Sequence, residues 1–419
     1  MAEILLSALL AAVLAAGAVL LAVTQVGRHV KNTPQGMGYV SLLDYGADPS
    51  GVRDSTDSLR RACEENSLVY LPEGTYRIGP VTIGSVTLQG AGDGKTVLKT
   101  ANLTDNLLTF SQDGWHVKDL KFTADSFRTG GAYICSGARY ASIENVALSK
   151  HYIGFELDGC IGVDITHVTA LDGTPHAVSQ GGAAVRLGNT RYTGQVNIRG
   201  LFAWPHTLET PPSSAICMKH VDVASVSDTL LIGHMKDVLL QPGKGQFTAL
   251  VQMTNSCFDT AQSGMCVEPV DGGRVLRCGF SNIWFGAHTG DGMVVNGTDG
   301  AVPGLQFTNC MFMGNGENGV RASGVGVDGL YFSNCFASAN ARTGLFLGRG
   351  SQRVVWYGGV LGASHEAGPN LEYGYRAEEA CSGKILLVDL ERNGLGAGRD
   401  EKGAVELLAA GAADAAHWL

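Results

Sequence analysis

One short phrase, repeated through the last third of the chain, decides what the chain can fold into. It reads FSNIWF at Phe280–Phe285, FTNCMF at Phe307–Phe312 and FSNCFA at Phe332–Ala337. The three asparagines stand at 282, 309 and 334, which are steps of 27 and 25 residues. Ten residues after each Asn a glycine opens a second apolar run: Gly292 before MVV, Gly319 before VRA and Gly344 before LFL. A fixed period of this size marks a repeat architecture, whose units bury their apolar faces by stacking on one another. Two strand-like runs per repeat, split by Gly and Asn turns, make one coil of a parallel β-solenoid.

Traced outward from these copies, the Asn position reads Gly90, Asp119, Asn145, His167, Gly200, Ser225, Asn255, Asn282, Asn309, Asn334, Gly359 and Asp389. That register predicts about twelve coils. Asn and Asp suit a tight corner because their side chains bond neighbouring backbone and tolerate left-handed conformations. A stacked Asn ladder would satisfy its own amides, so these residues read as scaffold. The 58 glycines, against only 16% charged residues, fit many turns around a buried apolar stack. A net charge of −9 and the lack of any basic block argue against nucleic acid as a partner. Ten cysteines show no CxxC pair and no zinc spacing. Cys310 and Cys335 hold the same place in successive repeats, so they are expected to stack inside the coil as small hydrophobes. Reduced thiols would point to folding in a reducing compartment.

Residues 4–27 run without a charge, long enough for a helix to cross a bilayer. Glu3 precedes them and Arg28, His29 and Lys31 follow, the opposite polarity to a cleavable signal peptide. Residues 1–31 therefore read as a hydrophobic anchor helix, buried in a membrane or in a protein assembly. Residues 32–83 read as linker and N-terminal cap, 84–403 as the solenoid, and 404–419 as a C-terminal helix or capping strand. Within the cap, Asp54 or Ser55 can start a helix running to about Asn66, with Leu59 and Ala62 inward. LVYLP and GTYRI then form strands on either side of a turn at Pro72–Gly74.

This stretch carries a resemblance. Asp44, Tyr45, Gly46, Ala47 and Asp48, then Gly51, Asp54, Thr56 and Leu59, then Leu71, Pro72, Gly74, Thr75 and Tyr76 resemble the opening segment of the pectate-lyase-like superfamily. The superfamily includes phage tailspikes and proteins related to glycoside hydrolase family 28. The resemblance implies an all-β, right-handed parallel β-helix whose N-terminal helix caps the open end, which would otherwise expose a strand edge.

Function is sought where the repeat is broken, since loops carried on a rigid scaffold hold most binding and catalytic groups. Two excursions stand out, 172–192 and 204–220, and adjacent coils should raise them side by side. Their candidate catalytic residues are Asp172, His206, Glu209 and Lys219, with Asp237 from the next coil. Candidate glycan-binding residues are His176, Arg186, Arg191, Tyr192 and Trp204; His220, Asp222, Asp228 and His234 lie close by in sequence. A carboxylate pair would serve hydrolysis. A Lys, His or Arg base beside a uronate would serve a lyase. Trp204 and Tyr192 would stack on sugar rings. No metal cluster and no cofactor motif is legible.

The expected function is a tailspike-like receptor-binding protein of a virion, assembled as a homotrimer, that binds and in one version cleaves a cell-surface polysaccharide. The alternatives are a membrane-anchored polysaccharide lyase or glycoside hydrolase at the cell surface, and a non-catalytic β-helix adhesin.

Overall fold

A computed structural model describes residues 38–205, 207–363 and 367–408. The expected anchor at 4–27, His206, and residues 409–419 of the expected C-terminal segment lie outside the described residues. From Val40 onward the chain winds as a right-handed parallel β-solenoid. One side is a sheet of 13 parallel strands, beginning at Val81–Ile83 and ending at Gly396–Asp400. A sheet of 22 strands wraps the other two sides. The 13-stranded sheet takes one strand from each turn, so there are about thirteen turns, one more than the repeat register predicts.

The corner between the two parts of the long sheet is where the repeated Asn stands. Asn255, Asn282, Asn309 and Asn334 have φ of 50, 54, 52 and 51°. This is the left-handed region that Asn enters more readily than other side-chain-bearing residues. Their amides form the expected ladder: each Nδ2 donates to the Oδ1 of the coil before it, at 3.1 Å for Asn282, 3.4 Å for Asn309 and 2.9 Å for Asn334. Three assignments of the register move. The corner falls on Asp228 rather than Ser225, Gly358 rather than Gly359, and Leu387 rather than Asp389. Strand pairing decides this, since Ser227 lies opposite Thr254 and Ser333 opposite Tyr357.

Inside the coil the repeated phenylalanines stack. Phe280, Phe307, Phe332 and Trp356 lie face to face at centroid separations of 4.8, 4.8 and 4.6 Å. Phe285 and Phe312 form a second stack at 4.8 Å. Cys310 and Cys335 are fully buried between coils, as their shared repeat position implied, and all ten cysteines are free thiols. The Sγ of Cys310 donates to the Phe280 carbonyl and that of Cys335 to the Phe307 carbonyl, both at 3.6 Å.

A second ladder, absent from the sequence reading, lies buried six residues beyond the first (309 to 315, 334 to 340). Asn315, Asn340 and Asn370 each donate to the Oδ1 of the next coil's Asn, ending on Asn393, at 2.8, 2.8 and 3.0 Å. Each also donates to a carbonyl of the previous strand, so the buried amides are satisfied.

The helix Thr56–Glu65 closes the N-terminal end with Leu59 and Ala62 buried. Asp54 serves its first turn, its Oδ1 accepting from Thr56 N at 2.8 Å, while the Ser55 hydroxyl accepts from Asp48 N at 2.9 Å. At the other end Val405–Leu408 is a strand paired in parallel with Gly383–Leu386. Among the described residues no helix is long and apolar enough to cross a membrane.

Candidate functional site

One register position of the 13-stranded sheet lies two residues after a repeat glycine at Gly154, Gly264, Gly292, Gly319, Gly344 and Gly374. In register, that position reads Glu156, Arg186, Cys217, Leu239, Cys266, Val294, Arg321, Phe346, Arg376 and Arg399. The residues on either side point into the core, as Val320 and Ala322 do around Arg321. This row therefore runs along the outer face, one residue per coil. The glycine itself is required by crowding: a Cβ on Gly319 would stand 2.7 Å from the Gly344 carbonyl oxygen of the next coil.

Toward the N-terminal end the face is a strip of paired charges. Arg186 binds the Glu156 carboxylate through Nε and Nη2. Burial pushes the Glu156 carboxyl up, and the Arg186 hydrogen bond opposes it. Lys236 pairs with Glu268 at 2.5 Å, and Lys219 Nζ donates to Asn189 Oδ1 at 2.9 Å. One edge is walled by the segments 172–182 and 207–213, held together by a Pro175–Pro212 bridge, a His176 Nδ1–Ser213 Oγ bond of 2.9 Å, and a bond from His176 N to the Pro211 carbonyl of 2.9 Å. At the opposite edge Asp158 Oδ1 accepts from the backbone of Thr190 and Arg191, both at 2.8 Å. There Tyr192 meets His220 edge-on at 5.7 Å, and burial, followed by Asp222, raises its phenol pKa.

Toward the C-terminal end the same face opens into a pocket of about 440 Å³ lined by Asp291, Glu317, Asn318, Arg321, Arg342, Phe346, Arg376 and Glu378. Arg321 is held by Asp291 at 2.7 Å, and Arg342 by Glu317 and Glu372 at 3.0 and 3.2 Å. Arg376 differs. Its guanidinium lies 5.5 Å over the Phe346 ring, its Nε is buried without a hydrogen-bond partner, and it has no ion pair among the described residues. A planar cation fixed by an aromatic face, with no carboxylate of its own, is prepared to receive an anion.

Residues 39–169 match the model of a family described as rhamnogalacturonase A/epimerase, pectate lyase-like. Solved structures of the same fold cover most of the chain. An exopolygalacturonase from Thermotoga maritima has a TM-score of 0.59 at 12% identity, over 85% of this chain and 92% of its own. The tailspike protein of E. coli bacteriophage HK620 scores 0.56 at 10% identity, over 92% and 81%. The A-module of a mannuronan C-5 epimerase from Azotobacter vinelandii scores 0.52 at 16% identity, over 88% and 96%. The chain shares the parallel β-helix fold of these structures, and its residues 39–169 match a pectate-lyase-like family model. No curated protein matches its sequence.

In this β-helix the expected site residues are dispersed over several sides. Arg186 and Lys219 belong to the outer face of the 13-stranded sheet, and His176 lies in the wall beside it. Arg191 and Tyr192 occupy the opposite edge, both exposed. Glu209 is exposed in the segment 207–213. Asp172 sits at a left-handed corner, φ 52°, that leaves the long sheet. Trp204 is on the long sheet, opposite Leu171, and so faces away from Arg186.

Asp237 is a correction. It is completely buried, with Oδ1 3.0 Å from His234 Nδ1, and burial raises its carboxyl well above 3.8. It precedes the inward-facing Val238 where two successive residues turn into the core, so it cannot reach a polysaccharide. The excursions are also shorter than expected, because Ala183–Leu187 and Ser214–Met218 are regular strands. Arg321, Arg342, Phe346 and Arg376 were missed. The signal was present in the repeat glycines at 319, 344 and 374, each two residues before an outward side chain. Among the described residues no three His, Cys, Asp or Glu are placed to hold a metal ion.

Proposed function

We propose that this β-helix is a tailspike-like receptor-binding protein that holds an acidic cell-surface polysaccharide along the outer face of its 13-stranded sheet. The observation that carries this reading is Arg376, stacked on Phe346 in a pocket of about 440 Å³ and without an ion pair among the described residues. A pocket of that size suits one or two sugar rings, with a uronate-type carboxylate against the guanidinium. The row of strands continues the pocket toward Lys236, Lys219 and Arg186, so a chain of sugars has a path along the coils.

Binding is favoured over hydrolysis because four carboxylates of this face are engaged by cations and Glu378 of the pocket accepts from the Arg349 backbone N–H at 3.2 Å. Glu156, Glu268, Asp291 and Glu317 each lie against Arg or Lys. A hydrolase needs two carboxyl groups free to act as acid and as base or nucleophile. In this reading residues 4–27 attach the rod to its virion or membrane, and the rod assembles as a homotrimer.

A panel of uronate-bearing and neutral glycans tests the proposal by titration calorimetry. Arg376→Ala should weaken binding of the acidic glycan roughly tenfold or more, the loss of one charge-assisted bidentate contact. Arg376→Lys should recover only part of it, because an ammonium cannot stack and fork as a guanidinium does. Equal affinity for neutral glycans, or an unaltered Arg376→Ala, would rule the proposal out. Reducing ends or an unsaturated uronate appearing during the titration would replace binding with cleavage.

A further inference from the structure

On the side of the coil beyond the Asn corner, register sets Phe202, Leu230, Cys257, Trp284, Met311 and Phe336 side by side as a stripe. Trp284 points outward, because Ile283 and Phe285 on either side of it are buried in the core. Two residues on, where the next outward side chain of its strand would stand, is Gly286. A Cβ there would lie 2.3, 2.3 and 2.5 Å from Cε2, Nε1 and Cζ2 of the indole. Three neighbouring ring atoms at nearly one distance mean that the indole lies face-down across its own strand, over Gly286. The coils on either flank keep side chains at that position, Asp259 and Met313. The indole N–H donates to the Asp259 carboxylate, which is itself 9% exposed, and this bond fixes the far end of the ring.

Beside the indole is a hollow of about 320 Å³, lined by Ser256, Asn282, Ile283, Trp284, Asn309 and Met311. Its polar groups come from the Asn corner. A primary amide carries two N–H groups. The ladder takes one from Asn282 and one from Asn309, at 3.1 and 3.4 Å, and leaves the other of each for a ligand. We propose that this hollow binds one neutral sugar ring, at a site separate from the Arg376 pocket.

The chemistry of the lining selects that occupant. The C–H groups of a pyranose make an apolar face that packs on a flat indole, while its hydroxyls accept from both amides. An aliphatic side chain of a protein partner would cover the indole but leave those two donors unpaired. Charge decides that the sugar is neutral. No lining residue is a cation, and Asp259 lies against the indole, so a uronate would find no partner and would meet a carboxylate. A volume of about 320 Å³ stands at the small end of ligand pockets, room for one ring rather than a chain. The assignment does not rest on the acidic-glycan reading, because the hollow and the Arg376 pocket lie on different sides of the coil.

The test uses the full chain. Neutral tetrasaccharides of galactose, glucose and mannose are titrated by calorimetry and by tryptophan fluorescence, with tetragalacturonate as the acidic probe. At least one neutral probe should bind the native chain. Trp284→Ala should weaken that probe roughly tenfold or more and leave the affinity for tetragalacturonate unchanged. Gly286→Ala keeps the indole but lifts it from the strand, and should weaken the neutral probe by a similar factor with far-UV circular dichroism unchanged. Asp259→Asn keeps an acceptor for the indole N–H and should bind the neutral probe as the native chain does, whereas Asp259→Ala should not. Ser142→Ala is the control, on the polar side before the corner where His116, Ser142, Asp164 and Asn197 lie in register, and should change neither affinity. Arg376→Ala should leave the neutral probe unaffected, so the failure of one site is told apart from the failure of the other. Repeating the comparison of acidic and neutral glycans in Trp284→Ala frees the Arg376 measurement from this second site. The proposal is overturned if no neutral probe binds at millimolar concentration, or if neutral binding survives both Trp284→Ala and Gly286→Ala. Loss of tetragalacturonate binding in Trp284→Ala overturns the neutral assignment.

Discussion

His288 occupies, in its coil, the place that Asn315, Asn340, Asn370 and Asn393 fill in the coils that follow. Its Nδ1 accepts from Ala261 N at 3.1 Å, its backbone N–H donates to Asn315 Oδ1 at 3.2 Å, and its Nε2 has no hydrogen-bond partner. Burial depresses its pKa from 6.5 to about 3, and does the same to His151 and His234. Between about 6.5 and about 3 the unfolded chain binds protons on these rings that the folded chain refuses. Their contribution to stability is thus complete above the unfolded value and is lost as pH falls. Two carboxyl groups packed nearby run the other way. Burial raises Asp259 from 3.8 to about 6 and Asp237 well above 3.8, so their contribution is present at acid pH and lost as pH rises through the folded value.

His288→Asn, which extends the buried ladder by one rung, is expected to flatten the fall in Tm between pH 7 and pH 4 relative to the native chain. A steeper acid loss in that variant would show the histidine to be stabilising in its charged form. Asp259→Asn is expected to raise Tm more at pH 8 than at pH 4, and thermal scans across that range check the sign. None of these residues was legible as buried from its neighbours. Asp237 reads as a polar residue in a polar stretch, and only the inward turn of two successive residues in its strand hides it.

At the scale of the element, the phenylalanine stack and the Asn ladders hold one coil on the next. Phe307 lies between Phe280 and Phe332, with faces 4.8 Å away on both sides. Phe307→Ala should cost about 3–5 kcal/mol, the range for removing a buried aromatic ring, because a rigid coil cannot collapse into the gap. Urea unfolding measures it, and a loss under about 1 kcal/mol would mean that the stack contributes little beyond area. The same element-scale reasoning accounts for what was and was not read from the sequence. The Asn corner was legible from Asn255 to Asn334, where one residue type recurs and the left-handed turn demands it. It slipped at Asp228, Gly358 and Leu387, where the local composition offers several residues able to take the corner and pairing with the next coil makes the choice.

At the scale of the molecule, three sides of one solenoid differ in chemistry: a charged face whose Arg376 has no ion pair among the described residues, a polar face, and a face with an apolar row. If an acidic polysaccharide lies on the first, its affinity should fall severalfold as ionic strength rises from about 0.05 M to about 0.5 M, because exposed cations are screened over roughly a Debye length. Salt-independent binding by calorimetry would point instead to a neutral glycan held by stacking.

The repeat period, the capping segment and the buried thiols could be read from the order of residues alone, because each depends on spacing along one chain and on which side chains tolerate a corner. The dispersal of Asp172, Trp204, Tyr192 and Asp237 to separate sides, the pocket around Arg376, and the stripe from Phe202 to Phe336 could not. Those depend on which residues of different coils come to lie 4.8 Å apart on a common face, and that is set by the register of stacking between coils.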